Sequence, residues 1–309
     1  MRSVAADRPA LETGQQPSDV PISLRDKVAA YIALTKPRII ELLLITTVPP
    51  MIVAAGGWPP LGLVAATLFG GMLAAGGANA INCYVDRDID QIMRRTKGRP
   101  LPSHKVEPAN ALIFGATLGI VAFVFLWTTV NIVSALLATL ALLFYVFVYT
   151  IGLKRFTPQN IVIGGAAGAV PALVGWSAVT GTVDLPALAV FGIVFYWTPP
   201  HFWALAMRYQ EDYAAAGVPM MPVVYGNEET AKHILLYSLL LSAMTLVFFS
   251  VGRMGLVYLL SALMLNGGFV VLAFKLLRHP DPGRAFGLFR YSIYYLALLF
   301  VAMAADTLI

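Results

Sequence analysis

Cysteine occurs once in the 309-residue sequence, at Cys83. A lone thiol excludes a disulfide scaffold and a cysteine-built zinc site. Charge is scarce as well. Asp, Glu, Lys and Arg make up 12% of the chain, about half of the roughly 25% usual for soluble domains. So few charges exclude a soluble globular enzyme, a disordered chain and a nucleic-acid-binding module. Hydrophobic residues take their place, at 59%, with a mean hydropathy of +0.76. The isoelectric point near 9.3 points formally toward nucleic acid, yet the net charge is only +5. The chain reads as a polytopic, all-α membrane protein.

Crossing a hydrocarbon core of about 30 Å takes about 20 helical residues. Long stretches free of Asp, Glu, Lys and Arg run over 42–85, 108–153, 156–183, 185–207, 233–252, 254–274 and 291–305. The first two, of 44 and 46 residues, have room for two helices each. Gly56, Gly57, Trp58, Pro59 and Pro60 break the first, because adjacent prolines end a helix. Thr128, Thr129, Val130 and Asn131 break the second. Nine spans result, the last being the shortest.

Lys and Arg collect in cytoplasmic loops. Six precede span one (Arg2, Arg8, Arg25, Lys27, Lys36, Arg38), and six separate spans two and three (Arg87, Arg94, Arg95, Lys97, Arg99, Lys105). With those after spans four, six and eight, twenty lie on one face and Arg253 alone on the other. The N-terminus is therefore expected in the cytoplasm of a bacterium, the protein being in the inner membrane. The basic pI is then topology. Residues 1–22 have no apolar core and include Asp7, Glu12 and Asp19, unlike a signal or transit peptide.

One polar cluster has helical phase. Asn79, Asn82, Asp86 and Asp90 fall at spacings of 3, 4 and 4. They share one face if span two continues as a helix. From Asn82 to Asp90 the stripe is about 12 Å long. Two carboxylates one turn apart, roughly 6 Å at an effective dielectric of about 20, repel by about 3 kcal/mol. A hard cation such as Mg²⁺, which takes a few carboxylates plus substrate phosphate oxygens, resolves this. Ion pairs with Arg87, Arg94 and Arg95 in a solvated acidic loop would also do so. Arg94, Arg95, Lys97 and Arg99 follow within nine residues of Asp90, and guanidiniums suit bidentate phosphate contacts. Positive-inside topology explains some of these charges but not the phased acids.

A second polar cluster, Arg208 to Tyr213, follows span six as the first follows span two, a hint of internal duplication. Asp212 lies there, with Arg208 four residues earlier in place of a second acid. In span six, Pro199 and Pro200 should bend the helix and free backbone carbonyls. His201 beside them is either functional or a hydrogen-bonded member of an aromatic belt. Asn266 reads as interhelical glue, Gly70, Gly71, Gly76 and Gly77 as points of close helix approach, and Cys83 as a packed residue.

The stretch with Asn82, Asp86 and Asp90, followed by Arg94, Arg95 and Arg99-Pro100-Leu101-Pro102, resembles the first Asp-rich motif of UbiA-type intramembrane prenyltransferases. Thr35 through Leu43, Pro199 through Ala206 and Tyr213 through Tyr225 resemble the heme-farnesylating branch of that family. The resemblance covers about residues 25–308. It implies nine helices around a central cavity that opens laterally to lipid under a cytoplasmic cap. The chain then divides into a disordered cytoplasmic tail (1–25) and a single transmembrane prenyltransferase domain (26–309). The resemblance implies that Asn82, Asp86, Asp90 and Asp212 bind Mg²⁺ and diphosphate. Lys36, Arg38, Arg95, Arg99, Lys154, Arg155 and Arg208 would contact the diphosphate. Tyr145, Tyr149, Tyr196 or Trp197 would offer a π face to a farnesyl cation, and His201 would touch the heme iron or a propionate. The implied substrates are farnesyl diphosphate and heme B, and the product is heme O. Heme A synthase or terminal-oxidase assembly factors are the implied protein partners.

Other classes remain open at this point. A prenyltransferase for another acceptor, such as 4-hydroxybenzoate, would keep the same acids and arginines. A transporter would carry ionisable residues at mid-membrane, where these spans are almost uncharged. A structural assembly factor would need no phased acids.

Overall fold

Caps and breakers set the helix limits. The computed structural model describes residues 23–309, the side chains of 38–44 excepted. The expected tail therefore lies outside the described residues as far as position 22. Its far end is already helical: α1 (Leu24–Leu34) begins after Ser23, whose Oγ accepts from the Asp26 amide at 3.1 Å. Next, α2 (Pro37–Ala55) ends at Gly56, where a φ of +61° makes a left-handed cap that glycine adopts without a Cβ penalty. After the Pro59-Pro60 break, α3 (Leu61–Val85) leads into the short α4 (Arg87–Ile92). The pair α5 (Pro108–Thr129) and α6 (Ile132–Leu143) follows, and α6 runs on as a π-helix, π1 (Phe144–Leu153). The remaining helices are α7 (Asn160–Thr180), α8 (Leu185–Arg208), α9 (Gln210–Ala215), α10 (Met221–Val251), α11 (Leu256–Arg278) and α12 (Pro282–Leu308). No strand occurs among the described residues.

Among the described residues, eight helices are long and apolar enough to cross a membrane: α3, α5, α6 with π1, α7, α8, α10, α11 and α12. Together with α2, whose described apolar part is Ile45–Ala55, they correspond in order to the nine expected spans. The expected second break is the α5–α6 turn. Asn131 there accepts from the Ser134 amide at 2.8 Å and donates to the Ser177 carbonyl at 2.8 Å, tying the turn to α7.

Two expectations about the helices change. The last span is a 27-residue helix, far longer than its charge-free stretch. Arg284 and Arg290 sit on its exposed side while Ala285, Leu288 and Ser292 stay buried. The seventh begins early, at Met221, and is interrupted at Gly226 (φ +78°, ψ 176°). In α8 the backbone stays helical through Pro199 and Pro200. Their missing N–H groups still leave the carbonyls of Phe195 and Tyr196 without intrahelical donors.

The most enclosed helices are α7 and α8. They pack on each other, with α2 and α12 closing a central group of four. On one side stand α3, α5 and α6, and on the other α10 and α11. Lipid supplies no hydrophobic drive for such packing, so close contact and hydrogen bonds hold it. Asn266 links the last three helices: its Nδ2 donates to Thr245 at 2.8 Å and its Oδ1 accepts from Tyr295 at 2.7 Å. Close contact is seen where α3 meets α5. A Cβ on Gly77 would stand 2.7 Å from the Gly115 carbonyl oxygen, and one on Gly70 would run into Leu126. Gly71 differs from its neighbours, for nothing lies within 4 Å of a Cβ there.

Gly77→Val should lower the melting temperature in detergent, by an amount corresponding to about 1–3 kcal/mol of overpacking. Gly62→Ala, on an open face of the same helix, should leave it unchanged or slightly raised. Scanning fluorimetry on the two variants checks this contrast.

Candidate active site

The phased polar residues of α3 do end up on one face. Asp86 is the junction of α3 and α4, yet its amide still bonds to the Asn82 carbonyl and the Asp90 amide to the Asp86 carbonyl, both at 2.9 Å. The helical register therefore survives the junction, and all four residues point inward. Asn79, Asn82, Asp86 and Asp90 are 5%, 2%, 0% and 2% exposed, so the stripe is enclosed rather than a solvated loop.

Enclosed carboxylates need compensating charge, and it comes from other elements of the chain. Asp86 Oδ2 accepts from Lys154 Nζ at 2.5 Å and from Asn82 Nδ2 at 2.8 Å. Arg99 Nη1 donates to both oxygens of Asp90, at 2.9 and 2.8 Å. Lys36 Nζ donates to Asn82 Oδ1 at 2.7 Å. The arginines expected as partners lie elsewhere: Arg87 sits over the Tyr84 ring, Arg94 approaches Asp212 at 4.0 Å, and Arg95 reaches the Tyr213 hydroxyl at 3.5 Å. A helix turns its neighbours in sequence to other faces, so the acids are matched by the ends of other elements.

Lys154 is placed by π1. A π-helix carries i→i+5 bonds and is commonest at functional sites. Here the Lys154 amide bonds to the Tyr149 carbonyl at 2.8 Å, and the Thr150 hydroxyl to the Tyr145 carbonyl at 2.8 Å. Thr150 also accepts from Asn82 Nδ2 at 3.1 Å. Tyr145 and Tyr149 stack with centroids 5.3 Å apart, and Gly164 on α7 lacks the side chain that would strike the Tyr149 ring.

Below the charges lies a cavity of about 350 Å³. Lys36, Asn82, Asp90, Arg95, Arg99 and Lys154 line its polar part, joined by Tyr145, Tyr149 and Tyr213. Its walls descend between α2, α3, α6, α7 and α8 over small and apolar residues such as Gly71, Ala75, Ala141, Gly168 and Val174. Asp86 is shielded behind this lining by its Lys154 and Asn82 partners. Its Oδ1 has no hydrogen bond, and Arg155 makes an ion pair with it at 3.7 Å. A buried carboxylate oxygen without a hydrogen bond, beside further hard oxygen donors, fits a divalent cation. Among the described residues no three His, Cys, Asp or Glu side chains already form a metal cluster.

Other expected site residues are placed differently. Arg155 is engaged by Asp88 through two 2.7 Å bonds and donates to the Val85 carbonyl at 3.0 Å. The guanidinium's hydrogen bonds hold the Asp88 carboxyl down at about pH 2. Asp212 is on α9, and Arg208 is exposed at the end of α8. His201 sits in the seam between α8 and α12, with Nδ1 2.7 Å from Ser292 Oγ and its ring stacked 4.2 Å from Trp197. The cavity lining includes Trp197 but neither His201 nor Tyr196, which packs toward Tyr237. The Arg38 side chain lies outside the described residues. Lys36, enclosed at the polar end, has its pKa lowered by burial to about 8. Sequence reasoning missed Thr150, whose role depends on the π register, and Tyr213, whose place in the second polar cluster was the available signal.

Acids and cations at one end of a lipid-enclosed apolar shaft are the architecture of an intramembrane prenyltransferase. The chain belongs to the UbiA prenyltransferase family, whose model matches residues 43–302. It is 52% identical over 307 residues to the protoheme IX farnesyltransferase of a Parafrankia species, covering 96% of this chain and 98% of that one. With the protoheme IX farnesyltransferase of Frankia alni it shares 54% identity over 286 residues, 92% of this chain and 99% of the relative. The fold is similar to that of a solved digeranylgeranylglyceryl phosphate synthase, with a TM-score of 0.76 at 19% identity over 91% of this chain and 99% of the other. It is also similar to a UbiA homologue from Archaeoglobus fulgidus solved with DMAPP and Mg²⁺, with a TM-score of 0.60 at 15% identity, covering 89% and 99%.

Thr150→Val should destabilise the fold by about 1–3 kcal/mol, since it leaves the buried Asn82 amide short of an acceptor. Thr150→Ser should be near neutral. Thermal melts of both variants in the same detergent check this.

Proposed function

We propose that the protein transfers the farnesyl group of farnesyl diphosphate to the 2-vinyl group of heme B, with addition of water, giving heme O and diphosphate. One observation supports prenyl transfer above the rest: a buried stripe of hard oxygen donors, backed by Lys36, Arg99 and Lys154, meets a deep apolar shaft. Relatives more than 50% identical over nearly their whole length support heme as the acceptor over 4-hydroxybenzoate.

Asn82, Asp86 and Asp90, with Asp212 contributed from α9, are the residues that would hold Mg²⁺, and the Oδ1 of Asp86, which accepts no hydrogen bond, suits that role. When bound, the metal supplies Lewis-acid stabilisation of the leaving diphosphate. Lys36, Arg95, Arg99 and Lys154 line the same end of the cavity and would add charge-assisted N–H donors to the same oxygens. As the allylic C–O bond breaks, its electron pair leaves with diphosphate. Tyr145 and Tyr149 present ring faces to the allylic cation, and the apolar walls keep water from it. The terminal vinyl carbon of heme then bonds to the farnesyl carbon. Water captures the cation left beside the macrocycle and loses a proton, so the atoms balance. Arg155, bound to Asp88, steadies the α3–α4 junction. The placement of Lys and Arg supports a bacterial inner-membrane protein with a cytoplasmic N-terminus; heme A synthase and terminal-oxidase assembly factors are its proposed partners.

The test is purified protein with heme B, farnesyl diphosphate and Mg²⁺, the extracted hemes being separated and weighed by mass spectrometry. Wild type should give heme O. Asp90→Ala and chelation of the metal should each lower the yield at least about 100-fold, the scale of losing a main electrostatic stabiliser. Prenylation of 4-hydroxybenzoate with heme B returned unchanged would overturn the acceptor. No prenylation of either would overturn the reaction.

A further inference from the structure

Lys154 and Arg99 hold carboxylate oxygens of Asp86 and Asp90 that a metal would need. Three of the four carboxylate oxygens accept a hydrogen bond from Lys154 or Arg99, and only Asp86 Oδ1 has none. The Asn82 oxygen is taken by Lys36. A divalent cation therefore competes with hydrogen-bonded basic side chains for all of these donors except Asp86 Oδ1, which faces the Arg155 guanidinium at 3.7 Å.

The basic residues are of two kinds. Arg155 is anchored, by two 2.7 Å bonds to Asp88 and one of 3.0 Å to the Val85 carbonyl, and it is outside the cavity lining. Lys154 and Arg99 line the cavity itself, so each reaches from an acid toward the space that receives substrate. Lys154 is a compact charge on a flexible stem, which can move between partners without a fixed fork geometry. We infer that Lys154 and Arg99 are exchangeable counter-ions: they neutralise Asp86 and Asp90 in the metal-free protein and pass to the diphosphate when the metal takes the carboxylates.

This inference rests on the prenyl diphosphate function proposed above and adds a role that those residues play before substrate arrives. An unpaired buried carboxylate is costly, and the exchange keeps the acids paired at each stage. It also ties the two ligands together. Metal alone must displace Lys154 and Arg99 into an empty cavity, whereas metal arriving with diphosphate gives them a new anion. Metal and diphosphate binding then strengthen each other, and by linkage they do so equally.

The experiment is Mn²⁺ binding to the full chain in detergent, followed by electron paramagnetic resonance. It is run without substrate and with farnesyl thiodiphosphate, a slowly ionising analogue. Wild type should bind Mn²⁺ weakly alone and roughly 5- to 150-fold more tightly with the analogue, the usual range for coupled sites. Lys154→Met, which removes a competitor for Asp86, should bind Mn²⁺ alone at least about fivefold more tightly than wild type and lose most of the enhancement. Arg99→Gln, which frees Asp90, carries the same expectation and stands alone should Lys154→Met not fold. A purely supporting role for these residues would weaken Mn²⁺ binding in both variants. Unchanged or weaker Mn²⁺ binding, with wild type still enhanced by the analogue, would overturn the exchange and leave the proposed function intact. Wild type that binds no Mn²⁺ even with the analogue would overturn both.

Discussion

Two buried carboxylates on one helix face need cations near them, and the polar end of this bundle is arranged around that need. Asp86 and Asp90 are one turn apart and almost wholly enclosed. Lys154 arrives from the end of π1, Arg99 from the loop after α4, and Lys36 from the turn before α2. Each belongs to a different part of the chain, so the acids draw the first, second and fourth spans and the loop after α4 together. Removing one partner would leave charge uncompensated in a low-dielectric setting, which costs several kcal/mol in typical buried pairs.

The rest of the interior follows from keeping space below those charges. Glycines do two opposite jobs on α3. Gly70 and Gly77 let α5 come close, while Gly71 leaves the lumen open. On α7, Gly164 and Gly165 make room for Tyr149 and Thr198. The π register then turns Tyr145 and Tyr149 into the cavity while delivering Lys154 to Asp86. A shaft that is polar at one end and apolar below suits an amphipathic substrate with a charged head and a hydrocarbon tail.

Much of this was legible in the sequence because it depends on local chemistry. Gly56 and Asn131 mark helix ends through capping, and the spacing of Asn82, Asp86 and Asp90 defines a face whatever surrounds it. The partners of that face were not legible. Arg87, Arg94 and Arg95 are near in sequence but turned elsewhere, whereas Lys154 is 68 residues away from Asp86 and is aligned by a π-helix that no periodicity in its apolar run announces. His201 shows a related limit. Its place in an apolar span was plain, but only the packing of α8 on α12 turns it to Ser292. The lengths of α10 and α12 were underestimated because a charge on a helix's exposed side ends a charge-free stretch without ending the helix.

The central claim is that the apolar shaft beneath the acids holds the tail of a prenyl diphosphate. Its most direct test is photolabelling with a farnesyl diphosphate analogue bearing a diazirine at the tail end, with the labelled peptides mapped by mass spectrometry. The account predicts label on the lumen walls of α3, α6 and α7, around Met72, Leu142 and Val170, and its loss on adding excess farnesyl diphosphate. Label confined to the lipid-facing sides of α11 and α12, or unaffected by competitor, would contradict it.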